Sequence, residues 1–157
     1  MPLDTGFVGR VYPATVPYGV CAAKIAEFAD AIGDENPAYR DKSAAQALGY
    51  SDVVAPPTFA NIVTLEAAYA VVHDPALGLD WTRVVHGDQR FVYERPLQAG
   101  DEITVVVTVE SIRSMAGNDL IVLRGDVDTV KGERALTSYT MLVARSAEAE
   151  AESEVQP

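Results

Sequence analysis

From Phe59 to Val72 the chain carries almost no polar surface: Ile62, Val63, Leu65, Ala67, Ala68, Ala70, Val71 and Val72 fall in a run bounded by Pro57 and Pro75. Proline is tolerated in the first turn of a helix and breaks it elsewhere, so the run predicts a helix that begins at about Pro57 and ends before Pro75. A helix apolar nearly all round must be buried, and a sheet wrapped around it is the simplest cover.

The second half of the chain can supply that sheet. Residues 84–93, 102–112, 120–129 and 135–144 are rich in Val, Ile, Thr and Tyr, and they alternate in patches, as in Ile103, Val105, Val107 and Val109 against Thr104, Val106, Thr108 and Glu110. Gly117-Asn118 and Lys131-Gly132 supply turn residues between them. With a short strand around Phe7 to Tyr12, the pattern gives about five antiparallel strands around one long helix, a single α+β domain over residues 1–146. Two further helices precede the long one. Val20 to Ile32 has helical spacing and is closed by Gly33; Ser43 to Leu48 has Ser43 as N-cap and Gly49 as stop. Residues 147–157, with four glutamates and Val155 as their one large apolar side chain, read as an acidic disordered tail.

A net charge of -11 repels phosphate backbones and anionic lipid heads, and no Lys/Arg cluster offsets it, which argues against nucleic-acid or membrane-surface binding. Cys21 is the one cysteine, so an internal disulfide is excluded, and with two dispersed histidines no metal ligand set is formed. No signal-peptide core or membrane span is visible, and the expected setting is the cytoplasm. No cofactor motif is found: dinucleotide fingerprints, Walker patterns and nucleophile elbows are absent.

The candidate chemistry lies in Asp34-Glu35-Asn36-Pro37-Ala38-Tyr39. Gly, Asp, Asn and Pro are ordinary turn formers, so one reading is a turn after a helix and nothing more. The other takes in Gly49-Tyr50, Val53-Val54-Ala55-Pro56-Pro57-Thr58-Phe59 and His86-Gly87-Asp88-Gln89-Arg90-Phe91-Val92-Tyr93-Glu94-Arg95-Pro96-Leu97 with Gly100-Asp101. Over nearly its full length the chain then resembles the MaoC-like, (R)-specific enoyl-thioester hydratases of hot-dog fold, whose loop reads Asp-x-Asn-Pro-x-His. Within them it is most similar to the subunit of actinobacterial (3R)-hydroxyacyl-ACP dehydratases that lacks the catalytic pair, a FAS1-like dehydratase N-terminal domain.

The resemblance implies that Asp34 matches the family's aspartate, that Asn36 and Pro37 match the loop scaffold, and that Tyr39 stands in the histidine's place. A phenol with a reference pKa near ~10 cannot serve as a base at neutral pH. The family's backbone donor to the thioester oxygen falls on Pro57, which has no N–H. Pro57, Thr58, Phe59, Ile62, His86 and Gln89 are the implied substrate-binding residues, while His73 reads as a helix C-terminal cap. The resemblance therefore implies an acyl-CoA- or acyl-ACP-binding subunit of a hydroxyacyl-thioester dehydratase, paired with a catalytic Asp/His-bearing hot-dog. Two alternatives stay open: a homodimeric hydratase or thioesterase using Asp34, and a non-catalytic acyl-thioester binding module.

Overall fold

The computed structural model describes residues 3–145, and the acidic segment 147–157 lies outside them. Four long strands follow the alternation: β2 (Val84–Tyr93), β3 (Glu102–Met115), β4 (Asn118–Thr129) and β5 (Arg134–Arg145). With the two-residue β1 (Tyr18–Gly19) they form one antiparallel sheet in the order β1-β3-β4-β5-β2. Inward-facing Ile103, Val105, Ile121, Leu123, Val127 and Leu136 are all but fully buried, and this apolar face curls around the long helix.

The β3–β4 hairpin turns on Ala116-Gly117 (φ +50° and +76°), and Asn118 already pairs with Met115 in the ladder. Both central residues are left-handed, which is the I′ geometry that matches the twist of the flanking strands. The sequence reading, centred on Gly117-Asn118, lies one residue too late.

The N-terminal strand expected over Phe7 to Tyr12 does not form. That stretch begins in a 3-10 turn (Thr5–Phe7), makes one bridge, Val11 to Thr108, and then continues beside β3 as an arm. The amides of Gly9, Tyr12 and Thr15 donate to the carbonyls of Val109, Val107 and Val105 at 2.8–3.0 Å. Pro13 and Pro17 remove donors from the arm, so a continuous ladder cannot develop. Asp74 pins the arm's middle, accepting from the Tyr12 hydroxyl at 2.9 Å and pairing with Arg10 at 3.2 Å.

Helix α1 (Ala22–Ala31) ends in a Schellman motif: Gly33 adopts φ +71° and donates to Asp30, while the Asp34 amide reaches back to the Ala29 carbonyl at 2.9 Å. Helix α2 (Lys42–Ala47) is capped by Asp41, whose carboxylate accepts from the Ser43 and Ala44 amides, so the cap lies two residues before the expected Ser43.

The long helix α3 (Asn61–Val72) starts four residues after Pro57. Residues 57–60 instead form a tight turn with i to i-3 bonds, from Phe59 to Pro56 and from Asn61 to Thr58. The helix is also less enclosed than its composition requires. Val63, Thr64, Ala67, Ala68 and Val71 are buried against the sheet, but Tyr69 is 60% exposed and Leu65 and Val72 are half-buried. One five-stranded sheet curls around only one side of a helix, and the other apolar side faces outward.

Candidate functional site

The motif loop is built by short-range hydrogen bonds that its own residue types dictate. The Asp34 carboxylate accepts from the Asn36 amide at 3.1 Å, and the Asn36 side chain accepts from the Ala38 amide at 3.0 Å, capping the 3-10 turn Pro37–Tyr39. Arg40 ties the loop back to α1 through the Asn36 carbonyl at 3.2 Å and Asp30 at 2.6 Å. A further bond, from the Val54 amide to the Ala38 carbonyl at 3.1 Å, fastens it to the segment leading into α3.

Tyr39 ends this loop with its ring buried, only 9% exposed. Burial raises its phenol above the ordinary value, and the charges of Asp34 and Tyr50 push in the same direction. Asp34, partly exposed, is thus close enough to Tyr39 to act on its titration. The pair holds a carboxylate beside a firmly protonated phenol. It can accept and donate hydrogen bonds, but the phenol has no basic form at neutral pH.

At the α3 entry, the Ala55 amide donates to Leu97 at 2.8 Å and Pro56 is fully buried. Phe59 is fully enclosed and meets Phe28 of α1 edge to face, with ring centroids 5.6 Å apart. This contact and the Val54–Ala38 bond bring Pro57, Thr58 and Phe59 beside the Asp34 loop. Pro57 and Thr58 are exposed, and Ile62 is half-buried one turn on. The Pro57 carbonyl accepts the Tyr93 hydroxyl at 2.5 Å. Burial pushes the Tyr93 phenol up to about 12.

His86 and Gln89 sit elsewhere on the same strand. Seven residues separate His86 from Tyr93, roughly 20 Å of extended chain. The structure therefore divides the predicted residues into an entry group near Asp34 and a distal pair on β2. At the distal end, β2 bulges at Gly87, where an added Cβ would lie 3.0 Å from Val143 Cγ2 and 3.1 Å from Met141 Cε. His86 Nε2 lies 3.1 Å from both the Asp88 carbonyl and Gln89 Oε1, which also accepts from Thr140 Oγ1 at 2.9 Å.

His86 opens onto a groove of about 360 Å³ between the outer side of α3 and the edge of the sheet, with walls from Leu65, Tyr69, Val72, Trp81, Val84 and Leu142. None of these six wall residues is a motif residue, and sequence reasoning missed the groove. The visible hint was that the α3 run has more apolar positions than one face can use. His73 lines it too and caps α3 as expected, its Nδ1 donating to the Tyr69 carbonyl at 3.0 Å. No helix of the described residues is long and apolar enough to cross a membrane.

The comparisons agree with this architecture. The chain is 59% identical over 148 residues to a UPF0336 protein of Streptomyces avermitilis, covering 94% of this chain and 99% of that one. Among solved structures, a MaoC-like dehydratase superposes with a TM-score of 0.84 at 35% identity, over 90% of this chain and 43% of that one. The chain thus spans less than half of that dehydratase. The C-terminally truncated HadBC (3R-hydroxyacyl-ACP dehydratase) complex of Mycobacterium tuberculosis matches with a TM-score of 0.78 at 30% identity, over 88% of this chain and 97% of that one. Residues 6–138 match the family described as the FAS1-like dehydratase domain region. A helix half-wrapped by one curled antiparallel sheet, entered beside an Asp-x-Asn-Pro loop, is the hot-dog of that family, and this chain belongs to it.

Proposed function

We propose that the protein is an acyl-thioester-binding subunit of a (3R)-hydroxyacyl-ACP or -CoA dehydratase in the cytoplasm, and that turnover requires a second hot-dog bearing the Asp/His pair. The observation that carries the reading is Tyr39: the loop that would hold a base is intact, and its terminal position is filled by a buried phenol whose proton is held more firmly than usual. A positioned acid/base group is worth roughly 10²–10⁴ in rate, and an oxyanion donor of the kind Pro57 cannot provide roughly 10²–10³. The two deficits fall on different parts of the transition state.

The partner surface is supported by the fold. β1 and the N-terminal arm lie along β3, whereas β2 pairs only with β5 and its other edge is unpaired among the described residues. Next to that edge stands the uncovered side of α3, where Tyr69 of the helix and Trp81 of the 3-10 turn Trp81–Arg83 that leads into β2 are each 60% exposed. An unpaired edge beside an apolar helix face suits sheet extension by a second hot-dog. The HadBC neighbour is itself a complex. In this arrangement Pro57, Thr58 and Ile62 contact the acyl thioester near its head and the groove takes its chain, while Phe59, expected from the sequence to touch substrate, is fully enclosed and packs behind them.

The test is hydration of crotonyl-CoA by the purified chain and by the chain co-expressed with an Asp/His-bearing hot-dog subunit. Activity confined to the co-expressed complex, and insensitive to Asp34→Ala in this chain, is the expected result. Enzyme-like turnover by the isolated chain that Asp34→Ala abolishes would establish instead a homodimeric hydratase.

A further inference from the structure

We propose that Arg83 and Arg145 bind a phosphate of the thioester's carrier at the entry of the partner hot-dog, so that this chain lends its partner a cationic subsite; the inference rests on the acyl-thioester subunit reading above. The strand ladder puts the two residues at one corner. Val84, the first residue of β2, pairs with Ala144, and the next positions outward are Arg83, the last residue of the 3-10 turn, and Arg145, the last of β5. The turn packs on the end of β5. Asp80, which caps the turn, accepts from the Thr82 hydroxyl and amide at 2.6 and 3.1 Å. These two bonds come first among the causes that hold its carboxyl low, and the Arg83 charge comes last. Guanidinium groups offer planar, paired donors, which is the chemistry that recognises phosphate.

These arginines are too far from their own chain's entry to serve it. Along β2, Arg83 lies roughly 30 Å of extended strand from Tyr93, whose hydroxyl touches the entry turn at Pro57. The entry is also acidic. Over residues 30–52, Asp30, Asp34, Glu35, Asp41 and Asp52 outnumber Arg40 and Lys42, and both cations are engaged, Arg40 with Asp30 at 2.6 Å and Lys42 with Asp52 at 3.0 Å. Arg95, just beyond Tyr93, is held by Asp101 and Glu133. An anionic carrier is repelled by such a surface and needs cations from elsewhere. Sheet extension through β2 supplies them. The uncovered side of α3 is shielded only if both long helices lie on the same face of the joined sheet, which sets the two-fold or pseudo-two-fold axis perpendicular to the sheet and makes the two edge strands antiparallel. The start of this chain's β2, with Arg83 and Arg145 at its corner, then lies by the end of the partner's edge strand, the end at which a hot-dog of this build has its entry.

The complex of this chain with an Asp/His-bearing hot-dog tests this, with crotonyl-CoA, crotonyl-carrier protein and phosphate-free crotonyl-pantetheine as substrates. Arg83→Gln combined with Arg145→Gln is expected to raise KM for crotonyl-CoA about tenfold, the loss of charge-assisted hydrogen bonds, with kcat within about twofold. The preference for crotonyl-CoA over crotonyl-pantetheine, read as the ratio of their kcat/KM values, should fall by the same factor. Because crotonyl-pantetheine needs the intact pair but no phosphate contact, the ratio separates a lost subsite from a lost partner. Arg83→Lys with Arg145→Lys keeps the charge and should restore part of the preference. An equal loss with crotonyl-carrier protein assigns the phosphate of the pantetheine arm, and a loss confined to crotonyl-CoA assigns its nucleotide phosphates; either supports the subsite. A preference that survives the glutamine pair, or its absence from the unaltered complex, overturns the role of the arginines and leaves the acyl-thioester reading standing. A complex without hydratase activity overturns both.

Discussion

Tyr93 on the edge strand and Pro57 at the entry of the long helix are joined by a 2.5 Å hydrogen bond, in which the phenol donates to the proline carbonyl. Because burial raises the phenol to about 12, the folded state holds this proton more firmly than the unfolded chain, whose tyrosines titrate near ~10. Between those values the unfolded chain binds fewer protons, so stability present below pH ~10 falls as pH rises toward about 12. Denaturant titrations at pH 8, 10 and 11 are expected to show this decline, and Tyr93→Phe should make it shallower while costing about 1 kcal/mol at pH 8. Tyr12, also raised to about 12 by burial and by Asp74, contributes in the same direction.

Tyr39→His tests whether the loop still holds a working geometry. The imidazole would restore a group able to exchange protons at neutral pH beside Asp34, and Pro57→Gly would restore a backbone donor at the helix entry. Neither change is expected to suffice by itself. The double variant should hydrate crotonyl-CoA measurably above the buffer rate, followed by loss of enoyl absorbance, and Asp34→Asn in that background should remove the gain.

Asp74 anchors the N-terminal arm through Tyr12 and Arg10, and its carboxyl is held below the usual range by the Ala76 amide first and by Tyr12 next. Asp74→Ala should speed hydrogen exchange at the Gly9, Tyr12 and Thr15 amides, with the β4–β5 ladder unchanged. The unaltered protein should show the same selective loosening only as pH falls below the ordinary aspartate range and through the lowered pKa of Asp74.

Ala116 sits at φ +50°, where a Cβ is strained. Asparagine tolerates that conformation better, and Ala116→Asn is expected to raise stability by about 0.5–1 kcal/mol without affecting ligand binding. A thermal melt monitored by circular dichroism reads the change.

The strands were legible because a period of two survives in the residues themselves: Ile103, Val105, Val107 and Val109, which alternate in the sequence, are all buried along β3. The loop was legible for a similar reason, since Asp34, Asn36 and Pro37 make contacts two residues away that their side chains dictate. Tyr39 could be read as a departure, but its burial depends on how α1, the loop and the 53–54 segment pack. The N-terminal arm misled because Val8 and Val11 look like strand residues while Pro13 and Pro17 limit the pairing. The groove was invisible because it exists only where α3 passes β2 and β5, a relation between residues as far apart as Leu65 and Leu142.

The two flanks of the sheet are unequal: one is occupied by the chain's own arm, and the other is unpaired among the described residues. An object with a single adhesive side has a valency of one. Joined through that side it stops at a pair, whether with its own copy or with another hot-dog, because the opposite flank of the described sheet is already taken by the arm and gives end-to-end growth no edge from which to continue.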